Sequence, residues 1–188
     1  MPVLTVNGIT FETEKTICLP GFSEIPREFY PLPVVCYDVG AFFTFAVAKR
    51  TDGDYSHFMW MIGPNEFATQ GWWFMSKPVD AYSSYIIKAW YNPWWTPEQR
   101  QKVIDSLRID LAKPKWQTRY DVLALVGHLF GLKWIQSGRF EICSDSADHM
   151  IHAGEPYNLK DANPSEVNAW FKLFPEKWFV LFRFQGGD

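Results

Sequence analysis

The feature that most constrains the fold of this chain is a series of short strand-like segments between residues 34 and 79. The segments are rich in β-branched and aromatic residues, a composition typical of strands, and they occupy 34–37, 41–48, 55–62, 66–70 and 73–79. Turn sequences lie between them, including Asp-Gly at 52–53 and Gly-Pro-Asn at 63–65. Because such short connections join antiparallel neighbours, we predict an antiparallel sheet here.

The second half of the chain carries helix signals. The sequence TPEQ at 96–99 supplies a threonine N-cap, a proline at the first helical position and a glutamine three residues after the cap, which predicts a helix over 97–112. Similar cap and turn signals predict helices at 121–129, 143–153 and 164–171, and a closing strand at 178–184. Gly154 is predicted to end the 143–153 helix. Strands followed by helices indicate an α+β fold.

Residues 1–33 differ from the rest, because prolines at 20, 26, 31 and 33 interrupt them. We predict an irregular N-terminal extension there and one folded domain over 34–188, since 188 residues with 47% hydrophobic side chains can build one core. The three cysteines include no CxxC motif, a pattern that favours neither a disulfide framework nor a zinc ribbon.

Charge and hydropathy narrow the classes of partner. The formal net charge is −3 and no lysine- or arginine-rich run occurs, so neither nucleic acid nor anionic lipid is an expected partner. No stretch reaches the roughly 18 apolar residues of a membrane span, so we expect no integral membrane segment. The N-terminal residues lack the features of a secretory signal, and we expect a cytoplasmic or virion-associated protein.

Cys143 is the residue that most clearly suggests chemistry, because a predicted helix begins at it. Unpaired N–H groups at a helix N-terminus lower the pKa of a thiol and raise its thiolate fraction. The alternative is a small buried side chain, which is the commoner role of a single cysteine.

His57 lies inside a predicted strand and is either a half-buried structural residue or a general base for a thiol. A base of this kind needs a third group that orients its second ring nitrogen. The next strand, 66–70, lies beside it in an antiparallel sheet, and Thr69 and Gln70 carry oxygens that can take this role.

Two further groups of residues also have two interpretations each. His149 and His152 are three residues apart on the Cys143 helix, which suggests a metal site, but their spacing is not that of the HExxH motif. The aromatic clusters at 72–74 and 90–95 form either core and packed loop or a wall that contacts a ligand. In the second interpretation the substrate-binding residues are Trp72, Trp73, Trp94 and Trp95.

Read in chain order, these motifs resemble a known family. The motifs are Ser-His at 56–57 in a strand, Thr-Gln-Gly at 69–71, Phe-Glu-Ile-Cys-Ser-Asp at 140–145 and Asn-Pro-Ser-Glu at 163–166. They are similar to those of the permuted papain-fold cysteine hydrolases of the YaeF/YiiX-like type, in the NlpC-type peptidase superfamily, over residues 34–184. The resemblance implies a circularly permuted papain-like fold, with an antiparallel sheet packed against the helix that bears the nucleophilic cysteine.

The resemblance also implies roles for individual residues. It implies Cys143 as the nucleophile, His57 as the base, and a polar residue on the following strand as the third member. That third residue is commonly histidine or glutamate in the family, whereas this chain has Thr69 and Gln70. The implied triad therefore has a weaker hydrogen-bond acceptor than a carboxylate.

Tyr120 and Ser144 are assigned accessory roles beside the nucleophile by the same resemblance. The expected activity is cleavage of an amide or ester through a covalent thioester on Cys143, with no cofactor and no metal. The expected substrates are peptides, glycopeptides such as those of peptidoglycan, or acyl lipids. Two rival hypotheses stay open: a non-catalytic interaction domain on the same fold, and a metal hydrolase built on His149 and His152.

Overall fold

The computed structural model describes residues 3–6, 9–12, 25–37, 55–82, 86–119, 121, 143–159 and 162–184. The first two strands, β1 (Val3–Val6) and β2 (Ile9–Glu12), form an antiparallel hairpin. The main sheet contains β3 (Leu32–Tyr37), β4 (His57–Gly63), β5 (Glu66–Gln70), β6 (Phe74–Lys77), β7 (Ile86–Tyr91) and β8 (Phe179–Phe184). All its pairs are antiparallel, in the order β6-β5-β4-β3-β7-β8.

Two α-helices begin with a capping box, in which the cap residue and the third helical residue exchange hydrogen bonds. α1 (Pro97–Ala112) begins after Thr96. The Thr96 side chain accepts a hydrogen bond from the Gln99 N–H, and the Gln99 side chain accepts one from the Thr96 N–H. α2 (Pro164–Lys172) begins after Asn163, where the same exchange is made with Glu166. Each box satisfies two N–H groups that a helix leaves unpaired, so these starts are encoded within a few residues.

A third helix, Cys143–Ala153, is 3₁₀ in type and is 11 residues long, well beyond the usual length of such helices. It ends before Gly154, which adopts φ +82°, a backbone conformation that glycine tolerates and other residues rarely adopt. The predicted bounds of this helix, and Gly154 as its C-terminal cap, are confirmed.

The α+β class and the antiparallel sheet are confirmed. The strands predicted at 34–37, 55–62, 66–70 and 73–79 correspond to β3 to β6 with shifts of a few residues at their ends. The segment at 41–48, the Asp-Gly turn at 52–53 and the body of the 121–129 helix lie outside the described residues.

Strand β7 was not predicted from the sequence. Its residues 86–91 read IIKAWY, a strand-like composition, but the aromatic residues at its end run directly into an Asn-Pro turn and resemble part of a loop. β7 joins the edge strand β8 to the rest of the main sheet, because it pairs with β3 on one side and with β8 on the other. The closing strand predicted at 178–184 is confirmed as β8.

The main sheet is covered on both faces. Phe58, Trp60 and Ile62 of β4 point to one face, here called the helix face, and pack with Ala147 and Met150 of the 3₁₀ helix. Met59 and Met61 point to the other, here called the opposite face. They pack there in a cluster with the segment before β3 and the 3₁₀ turn Val79–Tyr82. β4 therefore contributes apolar side chains to two cores.

The segment before β3 belongs to the folded core. Ile25, Phe29 and Tyr30 are buried in the cluster on the opposite face, and β3 begins at Leu32, inside the predicted extension. Pro33 has no N–H to donate to a neighbouring strand. β3 accommodates it because Pro33 is opposite Trp60 of β4, whereas the pairing of β3 with β7 begins only at Val34. The folded unit therefore starts earlier than residue 34.

Within the described ranges, none of the helices combines the length and the apolar character that crossing a bilayer requires.

Candidate functional site

His57 occupies the first position of β4, and its side chain is half-buried. Its Nε2 atom lies 2.6 Å from Oγ1 of Thr69, which is on the neighbouring strand β5. The two side chains meet because Thr69 is directly opposite Met59, so that Thr69 and His57 share one face of the sheet as diagonal neighbours. The structure thus brings the predicted base and one of its two predicted partners together.

Tyr82 extends this pair and was not anticipated from the sequence. Its hydroxyl donates to Thr69 Oγ1 at 3.4 Å, and its ring stacks on the His57 imidazole with centroids 6.5 Å apart and planes 12° apart. A hydroxyl oxygen has two acceptor sites, so Thr69 can accept from both Tyr82 and an Nε2–H of His57. In that tautomer, Nδ1 of His57 carries the lone pair that a base uses.

Gln70 does not join this group. Its side-chain amide donates to the backbone carbonyl of Thr118 at 2.8 Å, and its position in β5 directs it to the face opposite that of Thr69. The expectation that Gln70 orients His57 is therefore corrected, since successive residues of a strand point to opposite faces.

The 3₁₀ helix runs in the same direction as β4. Its fourth residue, Ser146, accepts a 2.7 Å hydrogen bond from the Trp60 indole through its backbone carbonyl. Glu155, just beyond its end, accepts from Asn92 and Trp95, which follow β7. Because β7 is antiparallel to β3, and β3 to β4, these residues lie beyond the end of β4. The helix therefore begins toward the end of the sheet where His57 lies.

Cys143 is the first residue of this helix, so its backbone is placed toward the same end of the sheet as His57. The side chains of Cys143 and Ser144, and the whole of Tyr120, lie outside the described residues. His57 shares the opposite face with Met59, whereas the 3₁₀ helix packs on the helix face. A pairing of His57 with Cys143 would therefore have to form around the end of β4, not across one face of the sheet.

The four tryptophans predicted to line one cleft are divided between the two ends of the sheet. Trp72 and Trp73 follow β5 and so lie at the end where β4 begins. Trp94 and Trp95 follow β7 and lie at the other end. Trp95 is also buried, with its ring edge-on to Trp178 and its indole N–H donating to Glu155. The single aromatic wall expected from the sequence is therefore wrong for Trp94 and Trp95.

His149 joins the 3₁₀ helix to α1. Its Nδ1 lies 2.8 Å from Oγ of Ser106, and its Nε2 lies 3.1 Å from a carboxylate oxygen of Asp110. The Ser106 hydroxyl also lies 2.8 Å from the Val103 carbonyl of its own helix and donates to it, which holds the hydroxyl against α1. This Ser-His-Asp arrangement is a clamp between two helices.

Both ring nitrogens of His149 are occupied by this clamp, which leaves no nitrogen for a metal. Among the described residues, no group of three or more His, Cys, Asp or Glu side chains could hold a metal ion. The clamp has no strong local sequence signal, because Ser106 and Asp110 precede His149 by 43 and 39 residues along the chain.

Asp110 makes this clamp sensitive to pH. Burial alone would raise the pKa of its carboxyl, but hydrogen bonds from His149 and Lys113 outweigh burial and hold the pKa below its usual value. The folded-state pKa is therefore below the unfolded value of about 4, so the stabilisation is present above pH 4 and is lost as pH falls through the folded-state pKa.

We expect Asp110→Asn to lower the free energy of unfolding by about 1–2 kcal/mol at pH 7, because it weakens charge-assisted hydrogen bonds. The same variant should lose less stability than the wild type below pH 4. Urea denaturation between pH 2 and pH 7 measures both effects. Asp105→Asn, an exposed carboxylate on the same helix, is the control and should leave the stability at pH 7 within about 0.5 kcal/mol. Equal effects of the two substitutions would contradict the clamp.

Comparison of the chain with protein-family models, with curated proteins and with solved structures finds no significant match.

Proposed function

We propose that this protein is a cysteine hydrolase of the permuted papain-like kind, with Cys143 as nucleophile and His57 as base. The observation that carries the proposal is the contact between His57 Nε2 and Thr69 Oγ1, at the end of the sheet toward which the Cys143 helix begins. It provides the base with an orienting partner on the strand that the sequence singled out. The proposed substrates are amides or esters of peptides, glycopeptides or acyl lipids.

The proposed reaction uses the second nitrogen of His57. With Nε2–H donated to Thr69, Nδ1 takes the proton of the Cys143 thiol, and the thiolate sulfur attacks the carbonyl carbon of the substrate. Backbone N–H groups at the start of the helix stabilise the oxyanion. The imidazolium returns its proton to the leaving amine or alcohol, which leaves a thioester. Water then attacks the thioester with His57 as base, releases the carboxylic acid and restores the thiol.

The rate of alkylation of Cys143 by iodoacetamide tests the proposed pair. A thiol activated by His57 should react about tenfold faster at pH 6 than an ordinary thiol, because its larger thiolate fraction outweighs its lower intrinsic nucleophilicity. His57→Ala should abolish this advantage, and Thr69→Val should reduce it. Peptide mass spectrometry separates Cys143 from Cys18 and Cys36.

His152→Ala is the matched control, because His152 is an exposed histidine on the same helix as Cys143. It should leave the pH dependence of alkylation unchanged. Release of product from peptidoglycan or from acyl esters by the wild type, and not by Cys143→Ala, would then identify the substrate class. Identical alkylation of Cys143 in the wild type and in His57→Ala would overturn the pair.

The second candidate function is a non-catalytic interaction domain. The observation that favours it is that His57 points to the opposite face, while the body of the Cys143 helix packs on the helix face. In this case the contacts of His57 with Thr69 and Tyr82 serve packing alone. Cys143 would then react like an ordinary thiol, and the alkylation experiment would separate the two functions.

A further inference from the structure

Two connections at the His57 end of the main sheet are held together by backbone hydrogen bonds. One is the β5–β6 connection with Trp72 and Trp73, and the other is the segment 113–119 after α1. The N–H of Phe74 donates to the carbonyl of Thr118 at 3.1 Å, and Trp73 and Arg119 form an antiparallel bridge. The two connections are thus presented as one fixed unit.

Indole rings and basic side chains share this unit. The Lys115 ammonium lies 4.3 Å above the Trp73 ring, and Trp116 follows directly in the chain. Trp72 is 72% exposed and Trp116 is 66% exposed, and the side chains of Lys115 and Arg119 are exposed as well. We call these five residues, 72, 73, 115, 116 and 119, the indole–basic patch.

The local charge of the patch differs from the net charge of the chain, on which the expectation against an anionic lipid partner was based. The segment 113–119 contains Lys113, Lys115 and Arg119 and no acidic residue, whereas the chain as a whole has a net charge of −3. Lys113 is paired with Asp110, so Lys115 and Arg119 supply the positive charge that faces outward. Exposed indoles next to lysine and arginine are the composition of protein surfaces that settle at a membrane interface.

We propose that the indole–basic patch docks this protein on the surface of an anionic phospholipid bilayer. Trp72 and Trp116 would enter the headgroup region, where an indole buries its apolar ring and keeps its N–H in a polar environment. Lys115 and Arg119 would pair with lipid phosphates, their aliphatic stems lying along the interface. The proposal concerns peripheral binding, and it does not depend on whether Cys143 is catalytic.

A lipid surface fits these residues better than a soluble polyanion does. Among the residues that the structure describes, the patch carries two outward cations, which can neutralise few phosphates, and phosphate neutralisation is the main source of affinity for nucleic acid. A bilayer, in contrast, also rewards the burial of two strongly exposed indoles. Charge pairing and burial of the indoles are therefore both expected to contribute to binding. Substitution of either the two cations or the two indoles should weaken it.

Co-sedimentation of the full-length protein with vesicles tests the proposal. Vesicles of phosphatidylglycerol and phosphatidylcholine in equal amounts should bind the protein, and vesicles of pure phosphatidylcholine should bind it more weakly. The double variants Trp72→Ala/Trp116→Ala and Lys115→Glu/Arg119→Glu should each lower the apparent affinity about tenfold or more. Raising the salt concentration should weaken binding of the wild type.

Matched controls come from elsewhere on the surface. Trp94→Ala removes a 64% exposed indole at the other end of the sheet, and Lys102→Glu reverses an exposed charge on α1. Both should bind anionic vesicles like the wild type, and circular dichroism should show that all variants are folded. Absence of vesicle binding would overturn the proposal, as would equal losses in variants and controls. Tighter binding to heparin or to a single-stranded oligonucleotide than to the vesicles would also overturn it.

Discussion

Trp60→Ala is expected to lower the free energy of unfolding by about 3–5 kcal/mol, the range observed when a large aromatic residue is truncated in a core. Trp60 is fully buried in the middle of β4, and its ring meets that of Phe58 edge-on with centroids 5.8 Å apart. Its indole N–H also donates to the carbonyl of Ser146 on the 3₁₀ helix. The substitution therefore opens a cavity and removes a bond between the sheet and the Cys143 helix.

Trp60→Phe separates these two contributions. Phenylalanine keeps most of the ring but leaves the buried carbonyl of Ser146 without its donor, so we expect a smaller loss of about 1–3 kcal/mol. Trp94→Ala, at an exposed site, should change stability by less than about 1 kcal/mol. Urea denaturation followed by circular dichroism measures all three variants. A cost of Trp60→Ala no larger than that of Trp94→Ala would show that the sheet and the 3₁₀ helix are not packed as described.

Arg100→Met is expected to cost about 2–4 kcal/mol, because two backbone carbonyls lose a charged donor. Arg100 is a buried residue of α1 whose guanidinium donates to the carbonyls of Phe29 and Asn92. It also lies 4.7 Å from the centre of the Tyr91 ring. Burial lowers the pKa of Arg100, and the electrostatic interaction with Tyr91 acts against this lowering. The side chain thus holds α1, the end of β7 and the segment before β3 together.

Arg100→Lys keeps the charge but loses the planar guanidinium that reaches two carbonyls at once. It should therefore destabilise the protein somewhat less than Arg100→Met does, but should not be neutral. Arg108→Met is the control on the same helix, since Arg108 is half-exposed and is paired with Glu66 at the surface. Exposed ion pairs contribute about 0.2–1 kcal/mol, and this variant should stay in that range. Chemical denaturation measures all three variants. Equal losses of unfolding free energy in Arg100→Met and Arg108→Met would contradict the structural role assigned to Arg100.

Helix starts were predictable because their determinants are local. The reciprocal bonds of Thr96 with Gln99, and of Asn163 with Glu166, span three residues each and appear directly in the sequence. Gly154 is similar, since a positive φ at a helix end favours glycine wherever the helix packs. The pairing of His57 with the strand at 66–70 was also predictable, because a two-residue turn forces neighbouring strands to pair.

The faces of the sheet were not predictable, and they decide what the candidate site can do. Residues 58–62 of β4 read FMWMI, without the alternation of apolar and polar residues that marks a single buried face. Both faces of this strand are in fact buried, so its sequence does not indicate which face the 3₁₀ helix covers. The position of His57 relative to that helix therefore depends on packing alone.

The sequence by itself determined the α+β class, the antiparallel strands β3 to β6, the ends of the three main helices and the residues His57 and Thr69 as neighbours. These features rest on hydrogen bonds and turns that involve residues close in the chain. Only the tertiary structure decided that Trp95 is buried, that His149 clamps α1, and that Trp73 lies against Lys115 at one end of the sheet. Those contacts join residues 39 or more positions apart, the separation of His149 from Asp110, and their energies depend on how whole elements pack.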